Sequence, residues 1–260
     1  MEVEEGRGAG GMKAGGVEVG EMKARARLAG LLYLLVVATG IFSLGYVPAQ
    51  VNVENDWPAT IANVAGHESL FRFGIAAFLV KQVAFLLLPL ALYRVLADVD
   101  RRAGVAMVAC AVASVPLALV ALGHRLDALS LLTDPGLARS MAPAQLHALA
   151  AQSLDAYGNG LVATRMFWGL WLLPFGYLVV KSGRMPRILG ALLMLGCLGY
   201  LVDVFGALLA PGYQESILAN YAMLPASIGE IGACLWLLVF GVRLPQAGQV
   251  ASSNIGPVPR

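Results

Sequence analysis

The sequence predicts an all-α fold: a polytopic integral membrane helix bundle of about six transmembrane helices. Three observations predict it. First, hydrophobic residues make up 58% of the 260 and charged residues 13%, with a mean hydropathy of +0.73. Soluble domains run at roughly 45–50% apolar and about 25% charged. A chain this poor in charge cannot cover itself with polar surface in water, so lipid is the expected solvent. Second, the apolar residues collect into runs of about 20, the length that crosses a bilayer's hydrocarbon. Third, Lys and Arg fall between these runs on alternate sides.

The elements follow in chain order. The first 21 or so residues are Gly-rich, without an apolar core or a helical period, and read as a solvated tail in which Met12 and Met22 are alternative starts. Span one is Leu28–Val47, too long for a signal peptide and without a clear small-residue cleavage site. Span two is Phe73–Leu96, interrupted by Lys81 and Gln82. Span three is Ala103–Gly123, span four Leu161–Val180, span five Ile188–Ala210 and span six Met223–Val242. The expected division is a disordered cytoplasmic tail (1–24), a six-helix transmembrane domain (25–243) and a second disordered cytoplasmic tail (244–260).

Basic residues orient the chain. "MKARAR" precedes span one. Arg94, Arg101 and Arg102 join spans two and three, "KSGRMPR" joins four and five, and Arg243 follows six. These segments belong on the cytoplasmic face, with both termini. The opposite loops are poorer in Lys and Arg. Two of them carry helix signals. In "ENDWPATIANV", Asn55 or Asp56 caps a short helix opening at Trp57-Pro58. In "APAQLHALAAQSLDAYGNGL", Pro143 opens an amphipathic stretch that lies on the outer surface or extends span four outward.

Charge inside the spans is the feature that needs explaining. At about 1.5 Å per residue, Asp203 lies about 24 Å from Arg187, and Arg165 about 24 Å from Lys181. Glu230 lies about 20 Å from Arg243, and Lys81 about 20 Å from Arg94. Two acids and two bases on four spans share one layer in the outer half of the membrane. An unpaired charge there costs several kcal/mol, so the expectation is a neutral buried network in which Asp203 faces Arg165 or Lys81. Arg165 suits a carboxylate bidentately. Lys81 is the group more ready to lose its proton in a dry pocket. Such a network either fixes helix packing or lines a ligand or ion pocket.

Other chemistries find little support. Cys110, Cys197 and Cys234 fall inside spans and read as small buried hydrophobes. His67, His124 and His147 are all on the outer side; with Glu68 and Asp127 they allow a metal site, but interfacial histidines are the simpler reading. HExxH, CxxC, GxSxG and Walker loops are absent, so no metal and no cofactor is expected. A catalytic reading has only scattered candidates, Ser69, Ser153, His67 and His124. No basic patch is dense enough for nucleic acid. Pro89, Pro116, Pro174 and Pro225 can kink their spans. Gly196, Gly199 and Gly206 in span five, with Gly229 and Gly232 in span six, suggest close helix approach.

Several stretches carry a resemblance: "ARLAGLLYLLVVATGIFS", "LFRFG", "LALYRVL", "GYLVVKSGRMPRILGALLMLGCLGYLVD" and "GEIGACLWLLVFGV". Together they resemble a bacterial multi-pass membrane family, domain of unknown function 4386, over roughly Arg25–Val242. The resemblance implies an inner-membrane protein of six or seven helices and no particular reaction. Its stretches include Arg72, Asp203 and Glu230.

The functional expectation is a binding or transport-type membrane protein with a charged pocket in its outer half, built from Lys81, Arg165, Asp203, Glu230 and Arg72. Its partners are membrane lipid and a small-molecule or ion ligand. A membrane-embedded enzyme acting on a lipid or extracytoplasmic substrate is the alternative, and a structural or sensory partner protein the second.

Overall fold

The computed structural model describes residues 5–243. Six helical spans cross it: Val19–Val51, Glu68–Leu96, Arg101–Thr133, Pro143–Ser182, Arg187–Leu209 and Ile217–Val239. No strand occurs among the described residues. Each span packs on its neighbours in sequence, and span six returns to span one, so the bundle is a closed up-and-down ring. Large apolar side chains such as Val120, Ile188, Leu208 and Leu209 face outward, where only lipid offers them an apolar solvent.

Several spans outrun the sequence expectation. Helix extends from Glu5 to Gly40, so the stretch before residue 25, expected as an irregular tail, is helical from Glu5 onward. Adding turns to an existing helix avoids the nucleation step, and Arg25 bonds Glu21 one turn away at 3.2 Å. The expected ends at 1–4 and 244–260 lie outside the described residues. Span three runs past Gly123 to Thr133, where Asp134-Pro135-Gly136 stops it. The amphipathic stretch from Pro143 is the part of span four farthest from the basic loops, one helix from Pro143 to Leu170. These two extensions pack on the short helix Trp57–Gly66 through Ile61, Ala128 and Ala150. That helix is capped by Asp56, whose carboxylate accepts from the Ala59 amide at 2.8 Å, while Asn55 takes the left-handed conformation.

Breaks fall where the backbone chemistry demands them. Span four is interrupted at Trp171, four residues after Phe167 and three before Pro174, which cannot donate to the Leu170 carbonyl. Pro225 sits in the first turn of Leu224–Val239, separating it from the short turn Ile217–Tyr221. Pro89 and Pro116 lie inside continuous helices. Span one carries a π-helical turn, Ile41–Tyr46, ahead of Pro48.

The basic loops meet at one end. Arg184 donates to the Val95 carbonyl and to Asp98, and Lys181 bonds Asp100 at 2.9 Å. The Arg184 guanidinium holds the Asp98 carboxyl below its ordinary range. The bond from Lys181, with the Ala103 amide, takes Asp100 down to about 2. Spans five and six approach closely, as the glycines predict: a Cβ at Gly196 would fall 2.6 Å from the Ala226 Cα, and one at Gly229 would fall 3.1 Å from the Leu193 nitrogen.

Candidate functional site

The ring's centre is aromatic at the basic-loop end and hollow beyond it. Trp171 stacks on Phe175 at 5.3 Å, meets Phe85 edge-on at 5.2 Å and lies 6.0 Å from Tyr33. This plug closes the middle of the bundle. On its far side lies a half-open chamber of about 340 Å³, lined by Tyr33, Lys81, Trp168, Tyr200, Ser227 and Glu230 and bordered by the exposed residues Ile41 and Ile231. Farther out is a vestibule of about 800 Å³ under the 52–57 loop, whose walls include Arg125, Arg165 and Tyr157. Leu44 and Trp168 line both spaces, so the two adjoin at these residues.

Lys81 enters the chamber from span two and is buried. Gly40 on span one makes room for it, since a Cβ there would sit 3.4 Å from the Lys81 Cε. Its ammonium lies 3.7 Å from the Trp168 ring centroid, with Phe78 and Phe85 at 5.5 and 5.6 Å. This is a cation–π cage, and the dry rings raise the worth of each contact. Glu230 enters from span six, half-buried, and accepts a hydrogen bond from the Tyr33 hydroxyl at 3.2 Å. Among the described residues, neither Lys81 nor Glu230 has an opposite charge within 4.0 Å. The two ionisable side chains thus share a cavity without closing on each other.

Asp203 answers to Arg165, not Lys81. The guanidinium of span four meets the carboxylate of span five at 3.2 Å. Asp203 is buried, and Arg165 reaches the vestibule wall. The expected single network is therefore two devices: a closed Arg165–Asp203 pair, and an open Lys81–Glu230 arrangement. Arg72 belongs to neither. It bonds Glu68 at 2.7 Å on an exposed face. Arg72 is nine residues from Lys81, about two and a half helical turns, which turns it to the opposite side of span two.

Sequence reasoning missed Arg125, buried at the outer end of span three, and the polar aromatic residues Tyr33, Trp168 and Tyr200. The absence of any helix breaker between Gly123 and Asp134 was a usable signal for Arg125. The aromatic residues carried none, since each is one apolar letter in an apolar run.

The outer histidines do not converge. His67 contacts the Asn63 carbonyl at 3.0 Å and His124 the Asp127 carboxylate at 3.6 Å; neither is hydrogen-bonded to Ser69 or Ser153. Among the described residues no three metal-ligating side chains cluster, and all three cysteines are free thiols.

Six apolar spans around a charged interior make this a multi-pass membrane protein, and residues 28–241 match one family of such chains, described as Domain of unknown function (DUF4386). The chain belongs to that family. A relative from Archaeoglobus fulgidus, described as "Uncharacterized protein", is 36% identical over 93 residues. That stretch is 36% of this chain and 53% of the relative, so the chain spans about half of the relative's length. No solved structure matches. The DUF4386 assignment covers every residue of the chamber, from Tyr33 to Ile231.

Proposed function

We propose that this DUF4386 protein is a binding or transport-type protein of a cytoplasmic membrane, with the chamber between Lys81 and Glu230 as its ligand pocket. In this reading the basic loops and both termini are cytoplasmic, and the vestibule opens to the opposite side. One observation carries the proposal: two ionisable side chains inside the membrane domain line a cavity instead of pairing. A network kept only for packing would close, because an open charge in low dielectric is expensive. Tyr33 holds the Glu230 carboxylate, and Trp168 and Phe85 hold the Lys81 ammonium, so both are presented in fixed positions before anything arrives. Such pre-organisation lowers the ordering entropy lost on binding. The ligand is a small polar molecule or ion with an acceptor for Lys81 and a donor for Glu230. An enzymatic reading lacks a nucleophile with a base, and a sensory reading lacks a soluble signalling module among the described residues.

Thermal stability of the purified protein tests this. Functional sites held open for a ligand are destabilising. Lys81→Met combined with Glu230→Gln is expected to melt at or above the parent temperature. A drop of more than about 5 °C would mark the two charges as packing elements and sink the proposal.

A further inference from the structure

Arg125 is a second buried cation, and nothing in the proposed pocket uses it. Its side chain is 3% exposed. It lies in the outer part of span three, 24 residues from Arg101 and so about 36 Å along the helix, near the level of the headgroups. The guanidinium sits 4.4 Å from the Tyr157 ring and 5.2 Å from Phe71. A guanidinium carries five N–H donors. The one that reaches a protein acceptor, Nη1, does so at 3.5 Å, the carbonyl of Ser43. Nε is buried without a partner, and so is the hydroxyl of Tyr157. Among the described residues no carboxylate lies within 4.0 Å of Arg125. Arg165 already has Asp203, so Arg125 is the vestibule's uncompensated cation.

The backbone of span one explains how Arg125 is held there. In the π-helical turn Ile41–Tyr46 the Val47 amide bonds to the Phe42 carbonyl. The next donor in that register is residue 48, a proline, which has no N–H. The Ser43 carbonyl is thereby left free of the helix and turned to Arg125. A single long bond to a carbonyl orients a guanidinium without neutralising it. The vestibule's three acids, Glu54, Asp56 and Asp155, keep their charge but make no ion pair with Arg125 within 4.0 Å: Asp56 caps a helix, Asp155 accepts from Asn159 at 3.1 Å, and Glu54 lies on the exposed rim.

We propose that Arg125 is an oxyanion-binding residue of the outer vestibule, pairing with a phosphate or carboxylate group of a small ligand. Arg favours such groups because its planar fork matches two oxygens at once. The Tyr157 ring packs on the same guanidinium, and its own hydroxyl is buried without a partner. A soluble organic anion and an anionic lipid headgroup present the same chemistry. The assignment concerns the vestibule and stands whether or not the chamber of Lys81 and Glu230 takes a ligand.

The test uses the full chain in detergent, read by tryptophan emission, because Trp57 and Trp168 line the vestibule. The soluble probes are glycerol 3-phosphate and succinate, with chloride at matched ionic strength as control. The lipid arm adds phosphatidylglycerol or phosphatidylcholine and reads melting temperature. Saturable binding of a soluble probe, weakened tenfold or more in Arg125→Gln, supports the proposal with a soluble ligand. Saturable stabilisation by phosphatidylglycerol alone, lost in Arg125→Gln, supports it with a lipid headgroup. If Arg125→Gln does not fold, Arg125→Lys decides: a loss of threefold or more supports, and parental affinity overturns. No saturable response to any probe in the parent, or a response unchanged in Arg125→Gln, also overturns it. The charge change at Lys81 and Glu230 is read separately by stability, so either reading can fail alone.

Discussion

Asp203→Asn removes the charge that neutralises Arg165 in the middle of the bundle. The two groups meet at 3.2 Å, and the Asp203 side chain is 11% exposed against 36% for Arg165. Breaking one side of a fully buried ion pair costs about 3–5 kcal/mol in soluble proteins. Arg165 reaches the vestibule and can be rehydrated there, which brings the loss down to about 1.5–3 kcal/mol, the range for a hydrogen bond to a charged group. For a chain of this size that is roughly 3–12 °C in melting temperature. The partner is identified by a double-mutant cycle in detergent. Asp203→Asn with Arg165→Gln should recover most of the loss, with a coupling energy of about 1–3 kcal/mol. Asp203→Asn with Lys81→Met should be additive within about 0.5 kcal/mol. The reasoning is refuted if Asp203→Asn melts like the parent, or if coupling appears with Lys81 instead of Arg165.

Three further outcomes follow from the ends and seams of the ring. At the basic-loop end, Asp100→Asn keeps the helix cap but loses the bond to Lys181. Because folding lowers the Asp100 pKa to about 2, its stabilisation is present above the ordinary carboxylate value of about 3.9 and is lost as pH falls toward 2. The melting-temperature gap between parent and variant should therefore be full at pH 7 and shrink steeply as pH falls from about 4 to about 2; a gap still full near pH 2 contradicts the ion-pair account. At the seam between spans one and six, a Cβ at Gly30 would fall 2.8 Å from the Leu238 nitrogen, so Gly30→Ala should destabilise by about 1–3 kcal/mol in chemical denaturation. Neutral behaviour there would mean that the ring does not close through this contact. For topology, reporters fused after Arg102 and Arg187 should read one side and reporters near Gln145 and Tyr213 the other; a shared side for Arg187 and Tyr213 would remove span five.

The six spans were legible because crossing hydrocarbon imposes a length and an apolar content that nothing else in the chain shares. Their outer ends were not. Residues 124–133 and 143–160 are helical but only partly apolar, since they pack on each other and on Trp57–Gly66 beyond the hydrophobic runs. Depth along each helix could be counted, and it placed Lys81, Arg165, Asp203 and Glu230 within the membrane domain. Azimuth decides partners, and a sequence specifies rotation within one helix but not between two. That is why both Arg165 and Lys81 stayed open as partners for Asp203 from sequence, with only the bidentate fit favouring Arg165, whereas Arg72 was excludable by its two and a half turns from Lys81. The π-helical turn had one readable cue, Pro48, but its consequence for Ser43 and Arg125 depends on a neighbouring helix.

Solvent access to the chamber decides whether the charges of Lys81 and Glu230 line a pocket. Ser227 lines the chamber beside Glu230, and its hydroxyl donates back to the Met223 carbonyl of its own helix. Ser227→Cys, in a chain whose native cysteines are replaced by serine or alanine, would be treated in sealed vesicles with a membrane-impermeant cationic thiol reagent. The introduced thiol should be modified from the vestibule side alone, and more slowly when Glu230→Gln removes the carboxylate that attracts the reagent. A thiol that stays unlabelled from both sides while the protein remains folded would mean that the charged layer is packed shut, and would contradict the pocket.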